Sequence, residues 1–271
     1  MSSSTIIPVE SLSDPRIAVY LNLKERELAR EGGRFIAEGE MVVRRLLASD
    51  YPVESVLMAD RHVEKIPPLV PPGVPIYMAP AAVVNQIVGY KFHSGVMACG
   101  VRKPRLSIEQ IASSWTSDKP VVLTVLPEIA NTENMGALIR ISAAFGVNAM
   151  ILGQHSCDPY YRQSIRVSMG NIFSVPIVQC EDLLSDLRLL RERWNVQLLA
   201  TVLDETAEPL ARSQTAARMG ILFGGEGPGL RADEIAACDR RITIPMQMGT
   251  DSLNVSVAAA VILYHFTQYA R

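Results

Sequence analysis

The sequence predicts an α/β protein: an open parallel sheet in the C-terminal half, preceded by a smaller α/β unit. Three observations predict this. At 271 residues the chain exceeds the usual size of one domain and can bury a sizeable core. From Pro120 onward, short apolar runs alternate with segments of helical period, the pattern of parallel strands joined by crossover helices with both sheet faces covered. Ahead of Pro120, strand and helix patterns alternate less regularly around the proline-rich KIPPLVPPGVP.

In the first hundred residues a helical segment is expected at about 17–31. RFIAEGEMVVRRLLASD opens as a strand and passes into an amphipathic helix. Strands are expected at 53–58, at 76–78 after the proline-rich loop, and at 95–101. RKPRLSIEQIASSWTSDKP, with Pro104 and Pro120, is polar enough for a boundary. Residues 1–105 are therefore read as one domain, 106–119 as a linker and 120–271 as a second domain. There VVLTVL, AMIL, VPIV, VQLLAT, GILFG and ITIPM are the expected strands. Helices are expected at about 134–145, near Arg162, at 181–194 and at the C-terminus.

Composition narrows the function. Hydrophobic residues make up 48% and charged residues 20%, as in a compact soluble protein. The longest apolar stretch, 255–266, is too short to span a bilayer and contains Ser256 and His265. The N-terminus lacks the basic and apolar regions of a secretory signal, so a cytoplasmic location is expected. Cys99, Cys157, Cys180 and Cys238 are scattered without a CxxC pair, which points to neither a disulfide framework nor a zinc ribbon, and no metal site is expected. A net charge of −2 argues against coating nucleic acid by bulk charge. Locally, KFHSGVMACGVRKPR carries Lys91, Arg102, Lys103 and Arg105 without an acidic residue, which fits a solvated linker as well as an RNA contact.

ILFGGEGPGLRADEI places Gly224, Gly225, Gly227 and Gly229 after an apolar run. A phosphate-binding P-loop would end in Lys and Ser or Thr, and a dinucleotide fingerprint would follow the first strand of its domain; this loop does neither. Pro228 removes an amide donor and Glu226 repels phosphate. The loop suits a neutral or cationic ligand approached closely by backbone, or a tight turn with no ligand. In PEIANTENMGALIRISAAFG, Arg140 is expected on the first turns of a helix, pointing back toward the strand ends. In IPMQMGTDSLNVSVAAAVILYHF, Asp251 or Ser252 is the expected cap of an apolar helix, which leaves Asn254 and Ser256 without a capping explanation.

Together these three segments resemble the SpoU/TrmH family of RNA 2′-O-ribose methyltransferases, within the SPOUT superfamily. Asn134, Gly136 and Arg140 match the first motif, LFGGEGPGL the second, and IPM with SLNVSVAAA the third, in family order. RELAREGGRFIAEGEMVVRRLL and FHSGVMACG resemble the L30e-like substrate-binding domain often fused to this family. The resemblance implies a C-terminal trefoil knot in a Rossmann-like sheet, an exception to unknotted chains. It implies S-adenosyl-L-methionine bound among the loops carrying Thr201, Leu203, Gly224, Gly225, Glu226 and Gly227, with Ile244, Met246, Leu253 and Asn254 closing over it. Methyl transfer to a ribose 2′-OH needs alignment and help with the hydroxyl proton but no metal. The family's arginine, matched by Arg140, is proposed to act on that hydroxyl, with general base aided by an RNA phosphate as one role; because a guanidinium stays protonated, the reading favoured for it is holding an RNA phosphate and stabilising the developing alkoxide. Asn134 and Asn254 would orient the ribose and cofactor, Glu226 and Ser252 would support them, and Arg166, Lys91 and Arg102 would contact RNA. The resemblance further implies a homodimer through the knotted domains, with Arg140 of one subunit near the other's cofactor. Ribosomal RNA of the 23S type is favoured over transfer RNA. A catalytically inactive RNA-binding protein of the same fold is the rival reading, and a nucleotide-dependent oxidoreductase is disfavoured by the late position of the glycine loop.

Overall fold

The computed structural model describes residues 5–11, 13–21, 33–88, 95–247 and 252–269. The chain divides into two compact units, one formed by residues 1–104 with 159–173 and the other by 105–158 with 174–271.

The first unit contains β1 (Ile6–Pro8), β2 (Arg34–Glu38), α1 (Glu40–Leu47), β3 (Val53–Ala59), β4 (Ile76–Ala79), α2 (Ala81–Val88) and β5 (Val96–Val101). The sheet order is β1-β4-β3-β5-β2, with β1, β4 and β3 parallel and β5 antiparallel to both β3 and β2. Of the helix expected at 17–31, the described part is a 3-10 helix, Pro15–Tyr20, and the remainder lies outside the described residues. Asp14 caps it, accepting from the Arg16 amide, and Ile17 and Tyr20 are buried. The Tyr20 hydroxyl shares a 2.8 Å hydrogen bond with the buried Ser55 hydroxyl on β3.

The second unit contains α3 (Ile108–Ala112), β6 (Val121–Leu126), α4 (Thr132–Ala144), β7 (Ala149–Leu152), β8 (Ile177–Gln179), α6 (Leu183–Trp194) and β9 (Gln197–Thr201). It continues through β10 (Glu208–Pro209), β11 (Arg218–Leu222), α7 (Ala232–Ala236), β12 (Arg240–Thr243) and α8 (Val255–Tyr264); α5 (Arg162–Val167) belongs to the first unit. All pairings in its seven-stranded sheet are parallel, in the order β10-β12-β9-β11-β6-β7-β8. Val121, Leu123, Val125, Ile151 and Leu198 are buried beneath Leu187 and Leu190 of α6, as continuous apolar strands require.

Two features differ from the sequence reading. The stretch taken as a linker carries α3, whose Ser107–Gln110 capping box starts a helix that buries Ile108 and Ile111 in the core of the second unit. Five helical residues are too few for polar flanking sequence to reveal their period. Residues 159–173, read from their position as part of the second domain, cluster with the first unit. Phe173 stacks on Phe35 of β2 at 5.6 Å, Tyr160 lies 5.4 Å from the same ring, and the Tyr160 and Tyr51 hydroxyls are 2.8 Å apart.

Candidate functional site

In the sheet order β12-β9-β11-β6, the chain leaves β6 toward β7 on one side, whereas β9, β11 and β12 fill the other. The loops after β6 and β11 therefore diverge at a topological switch point, where open α/β sheets bind ligands beyond the strand carboxyl ends. A cavity of about 330 Å³ lies there. Its walls bring together Thr201 and Leu203 after β9 with Gly224, Gly225, Glu226 and Gly227 after β11. Ile244 and Met246 after β12, and Ser252, Leu253 and Asn254 before α8, complete the enclosure. The sequence reading missed Val202, Phe223, Gly229, Ile242, Val255, Ala258 and Ile262 on these walls. Gly229 was visible in the glycine cluster, and Ala258 and Ile262 follow Asn254 at helical spacing.

The β11 loop is shaped for close backbone approach. Gly225 and Gly229 form an isolated antiparallel bridge, and Gly227 and Gly229 take φ values of 100° and 74°. A Cβ on Gly225 would collide with the Glu128 carbonyl oxygen, and one on Gly224 would lie 2.6 Å from the Gly229 carbonyl carbon. The Thr201 hydroxyl donates to the Leu222 carbonyl at 2.8 Å, tying the end of β9 to the start of this loop.

Across the switch point, Asn131 caps α4 by accepting from the amides of Glu133 and Asn134, at 2.7 and 3.3 Å. Met135, Leu138, Ile139 and Ser142 form the buried face of α4. The Ser142 hydroxyl shares a 3.1 Å hydrogen bond with that of Thr124 on β6, both fully buried. These contacts set the rotation of α4 and leave Asn134 at its N-terminal end, beside the glycine loop. Asn134 Nδ2 donates to Glu226 Oε1 at 2.6 Å, and Asn254 Nδ2 donates to Asn134 Oδ1 at 3.1 Å. Asn254 Oδ1 accepts from both the amide and the hydroxyl of Ser256, at 2.9 and 2.6 Å. Three separate stretches of chain thus meet in one chain of side-chain hydrogen bonds.

Three expectations change. Asn254, not Ser252, caps α8, and Asp251 lies outside the described residues. Arg140 is the ninth of thirteen residues in α4, opposite the buried stripe; it is exposed and does not line the cavity, and among the described residues it forms no hydrogen bond or ion pair. The expected helix start at 134 lay two residues too late, and the buried stripe rather than the loop fixes which way this side chain faces. Of the RNA-contact residues, Lys91 lies outside the described residues. Arg102 is half-buried with its guanidinium 4.7 Å from the Tyr160 ring centre, and Arg166 donates to Gln163 at 2.6 Å, with the nearly buried Glu38 carboxylate 4.0 Å away.

Burial, reinforced by the Asp158 and Glu226 charges, pushes the Cys157 thiol up to about 11, which keeps it a neutral thiol rather than a nucleophile. No group of three or more His, Cys, Asp or Glu that could hold a metal ion occurs among the described residues.

Replacing Asn254 separates its two tasks. Asn254→Asp keeps the cap acceptor but cannot donate to Asn134, whereas Asn254→Ala loses both. The alanine variant is expected to lose about 1 kcal/mol of stability and the aspartate variant to keep the wild-type melting temperature, with the reaction at the site slowed in both. A wild-type rate in Asn254→Asp would show that the bond to Asn134 is dispensable.

An open parallel sheet with a glycine-lined cavity at its switch point, and one connected set of amides and a carboxylate beside it, defines an α/β protein with a ligand site at its strand ends. The chain belongs to the SpoU rRNA methylase family, whose family model matches residues 121–264. It is 34% identical over 263 residues to an uncharacterized tRNA/rRNA methyltransferase of Mycobacterium tuberculosis, covering 94% of this chain and 89% of that protein. It is 30% identical to the 23S rRNA (guanosine-2′-O-)-methyltransferase RlmB of Acinetobacter baylyi, over 76% of this chain and 83% of RlmB. The fold matches the crystal structure of an AdoMet-bound rRNA methyltransferase from Sinorhizobium meliloti with a TM-score of 0.82, at 22% identity, covering 96% and 97% of the two chains.

Proposed function

We propose that this protein is an S-adenosyl-L-methionine-dependent methyltransferase that modifies a ribose 2′-hydroxyl of 23S-type ribosomal RNA. The observation that carries the reading is the Ser256-Asn254-Asn134-Glu226 chain of hydrogen bonds, which joins all three motif segments on the rim of one cavity.

The cavity fits this cofactor. Val202, Phe223, Ile242 and Ile262 give it apolar walls suited to a neutral adenine, and the glycine loop offers backbone where any side chain would intrude. When bound, the cofactor supplies an electrophilic methyl group on a sulfonium. Thr201, Leu203, Gly225, Ile244, Met246 and Leu253 enclose the ring end, and Gly224 and Gly227 shape the loop around it. Ser252, Asn254, Asn134 and Glu226 hold the reacting end in place. Arg140 takes an RNA phosphate and stabilises charge developing on the ribose oxygen. The first unit, with the L30e-like resemblance, receives the RNA through Arg102, Lys91 and Arg166. Threading of the C-terminal segment into a trefoil knot is part of the same proposal.

No helix among the described residues is long and apolar enough to cross a membrane, and a cytoplasmic enzyme is proposed. Its partner is a second copy: α8 exposes Val257, Val261 and Tyr264 at i, i+4 and i+7, a stripe that a homodimer through the second units would cover. Val261→Asp is expected to convert the dimer to monomer in sedimentation velocity, and a wild-type variant profile would place the interface elsewhere.

Calorimetry with S-adenosylhomocysteine, followed by transfer of tritiated methyl to unmodified ribosomal and transfer RNA, tests the reading. Binding with transfer to ribosomal RNA is expected. Transfer to transfer RNA alone would change the substrate class, and no cofactor binding would leave an RNA-binding protein of this fold.

A further inference from the structure

We infer that Glu38 is a positioning residue that makes Arg162 and Arg166 a clamp for a single RNA phosphate, an inference that rests on the RNA-modifying reading above and lies wholly within the first unit. Glu38 is the last residue of β2, and α5 packs on that strand, so the carboxylate is only 7% exposed. Arg162 Nε stands 3.1 Å from Oε2, and Arg166 Nη1 stands 4.0 Å from Oε1. The two arginines are four residues apart on α5 and therefore share one of its faces.

Two positive charges thus converge on one negative charge. Burying a carboxylate costs free energy that apolar side chains of similar volume would not, so a purely structural tie between α5 and β2 has no need of one. One arginine would be enough to neutralise it. The second leaves the group with positive charge in excess, and Arg166 is also the more accessible of the pair, 49% exposed against 24% for Arg162. Its guanidinium is oriented from two sides, with Nη1 toward Glu38 and Nη2 donating to Gln163 Oε1 at 2.6 Å. Glu38 Oε2 accepts no hydrogen bond among the described residues, so charge rather than a directed bond draws Arg162 to it.

The end of α5 is held as well. Met169 follows the helix at φ 55°, a left-handed conformation that disfavours any residue but glycine, and Arg45 Nη1 of α1 donates to its carbonyl at 2.7 Å. Gly170 comes next, and a Cβ there would lie 3.3 Å from Val42 Cα and from Arg45 Cβ, so α1 seats directly on this turn. Backbone strain maintained by its surroundings is characteristic of sites that grip a ligand. A guanidinium fork aimed before the ligand arrives loses little freedom on closing around a phosphate.

Retention of unmodified 23S ribosomal RNA on filters, measured over a series of potassium chloride concentrations with S-adenosylhomocysteine present, tests the clamp. Arg162→Ala, Arg166→Ala and the double variant are each expected to lower the slope of log affinity against log salt by the same amount, about 0.7 to 0.9, the loss of one phosphate contact. Glu38→Gln sets two accounts against each other. Bulk charge alone would make it bind RNA more tightly with a steeper slope, whereas loss of positioning weakens binding and flattens the slope. Affinity for S-adenosylhomocysteine is expected to stay at the wild-type value throughout. Should Glu38→Gln or Arg162→Ala fail to fold, the half-exposed Arg166 carries the decision: Arg166→Lys, which keeps the charge without the planar fork, is expected to bind RNA more weakly than wild type. Tighter binding by Glu38→Gln, losses that add in the double variant, or wild-type binding by Arg166→Ala and Arg166→Lys would each overturn the clamp. A wild-type protein that retains no ribosomal RNA at any salt concentration would overturn the RNA-modifying reading and the clamp with it.

Discussion

Arg140→Ala is expected to slow single-turnover methyl transfer by about 10²- to 10³-fold, the usual loss when one preorganised donor to a developing oxyanion is removed, with no change in melting temperature or in affinity for S-adenosylhomocysteine. The structure separates these outcomes unusually well. Arg140 is exposed, lies outside the cofactor cavity and forms no hydrogen bond or ion pair among the described residues, so its removal costs the fold little. On the function proposed above, its contribution comes from charge offered to RNA. Arg140→Lys should recover only part of the rate, because an ammonium lacks the planar fork that grips a phosphate through two parallel bonds. Full activity in Arg140→Ala would remove this residue from the mechanism altogether.

The second large effect is expected at Gly225. A methyl group there would strike the Glu128 carbonyl oxygen, which is backbone and cannot swing aside as the end of a flexible side chain could. Either the glycine loop or the segment leading to Asn131 has to move. Both hold the hydrogen-bonded rim in register, one through Glu226 and the other through Asn134. With overpacking strain of roughly 1–3 kcal/mol, Gly225→Ala should weaken S-adenosylhomocysteine binding by one to two orders of magnitude in calorimetry. Gly227→Ala is the informative comparison: nothing lies within 4 Å of its added carbon, but a φ of 100° is strained for any side chain. A Gly225→Ala protein that binds as wild type would mean that the loop and the Glu128 carbonyl part easily.

The element order of the second unit was legible because fully buried parallel strands read as apolar runs, and the positions of the glycine loop and of SLNVS after late strands pointed to the strand ends. The ten residues expected around the cofactor line one cavity. The orientation of Arg140 was less accessible, since it follows from which face of α4 is buried, and Met135, Leu138, Ile139 and Ser142 hold the other face against the core. That Asn254 caps α8 was hidden by the neighbouring polar residues Asp251 and Ser252, each an equally good cap by type. The link from Asn254 to Asn134 spans 120 positions and leaves no local trace. Nor could periodicity reveal which core residues 159–173 complete, because Tyr160 and Phe173 read as ordinary loop aromatics until Phe35 is placed beside them.

That excursion of the chain bears on how such a protein can be cut and recombined. The first unit draws on a peptide that enters after Asp158 and returns at Ser174, so no single scissile bond yields both halves intact. A fragment ending at Pro104 would leave the Phe35 and Tyr51 rings without Tyr160 and Phe173, and the complementary fragment would carry the aromatic pair with nothing to cover it. Exchange of the first unit between relatives must therefore transplant two stretches of sequence together, and an N-terminal nascent chain stays incomplete until the ribosome has translated well into the second unit.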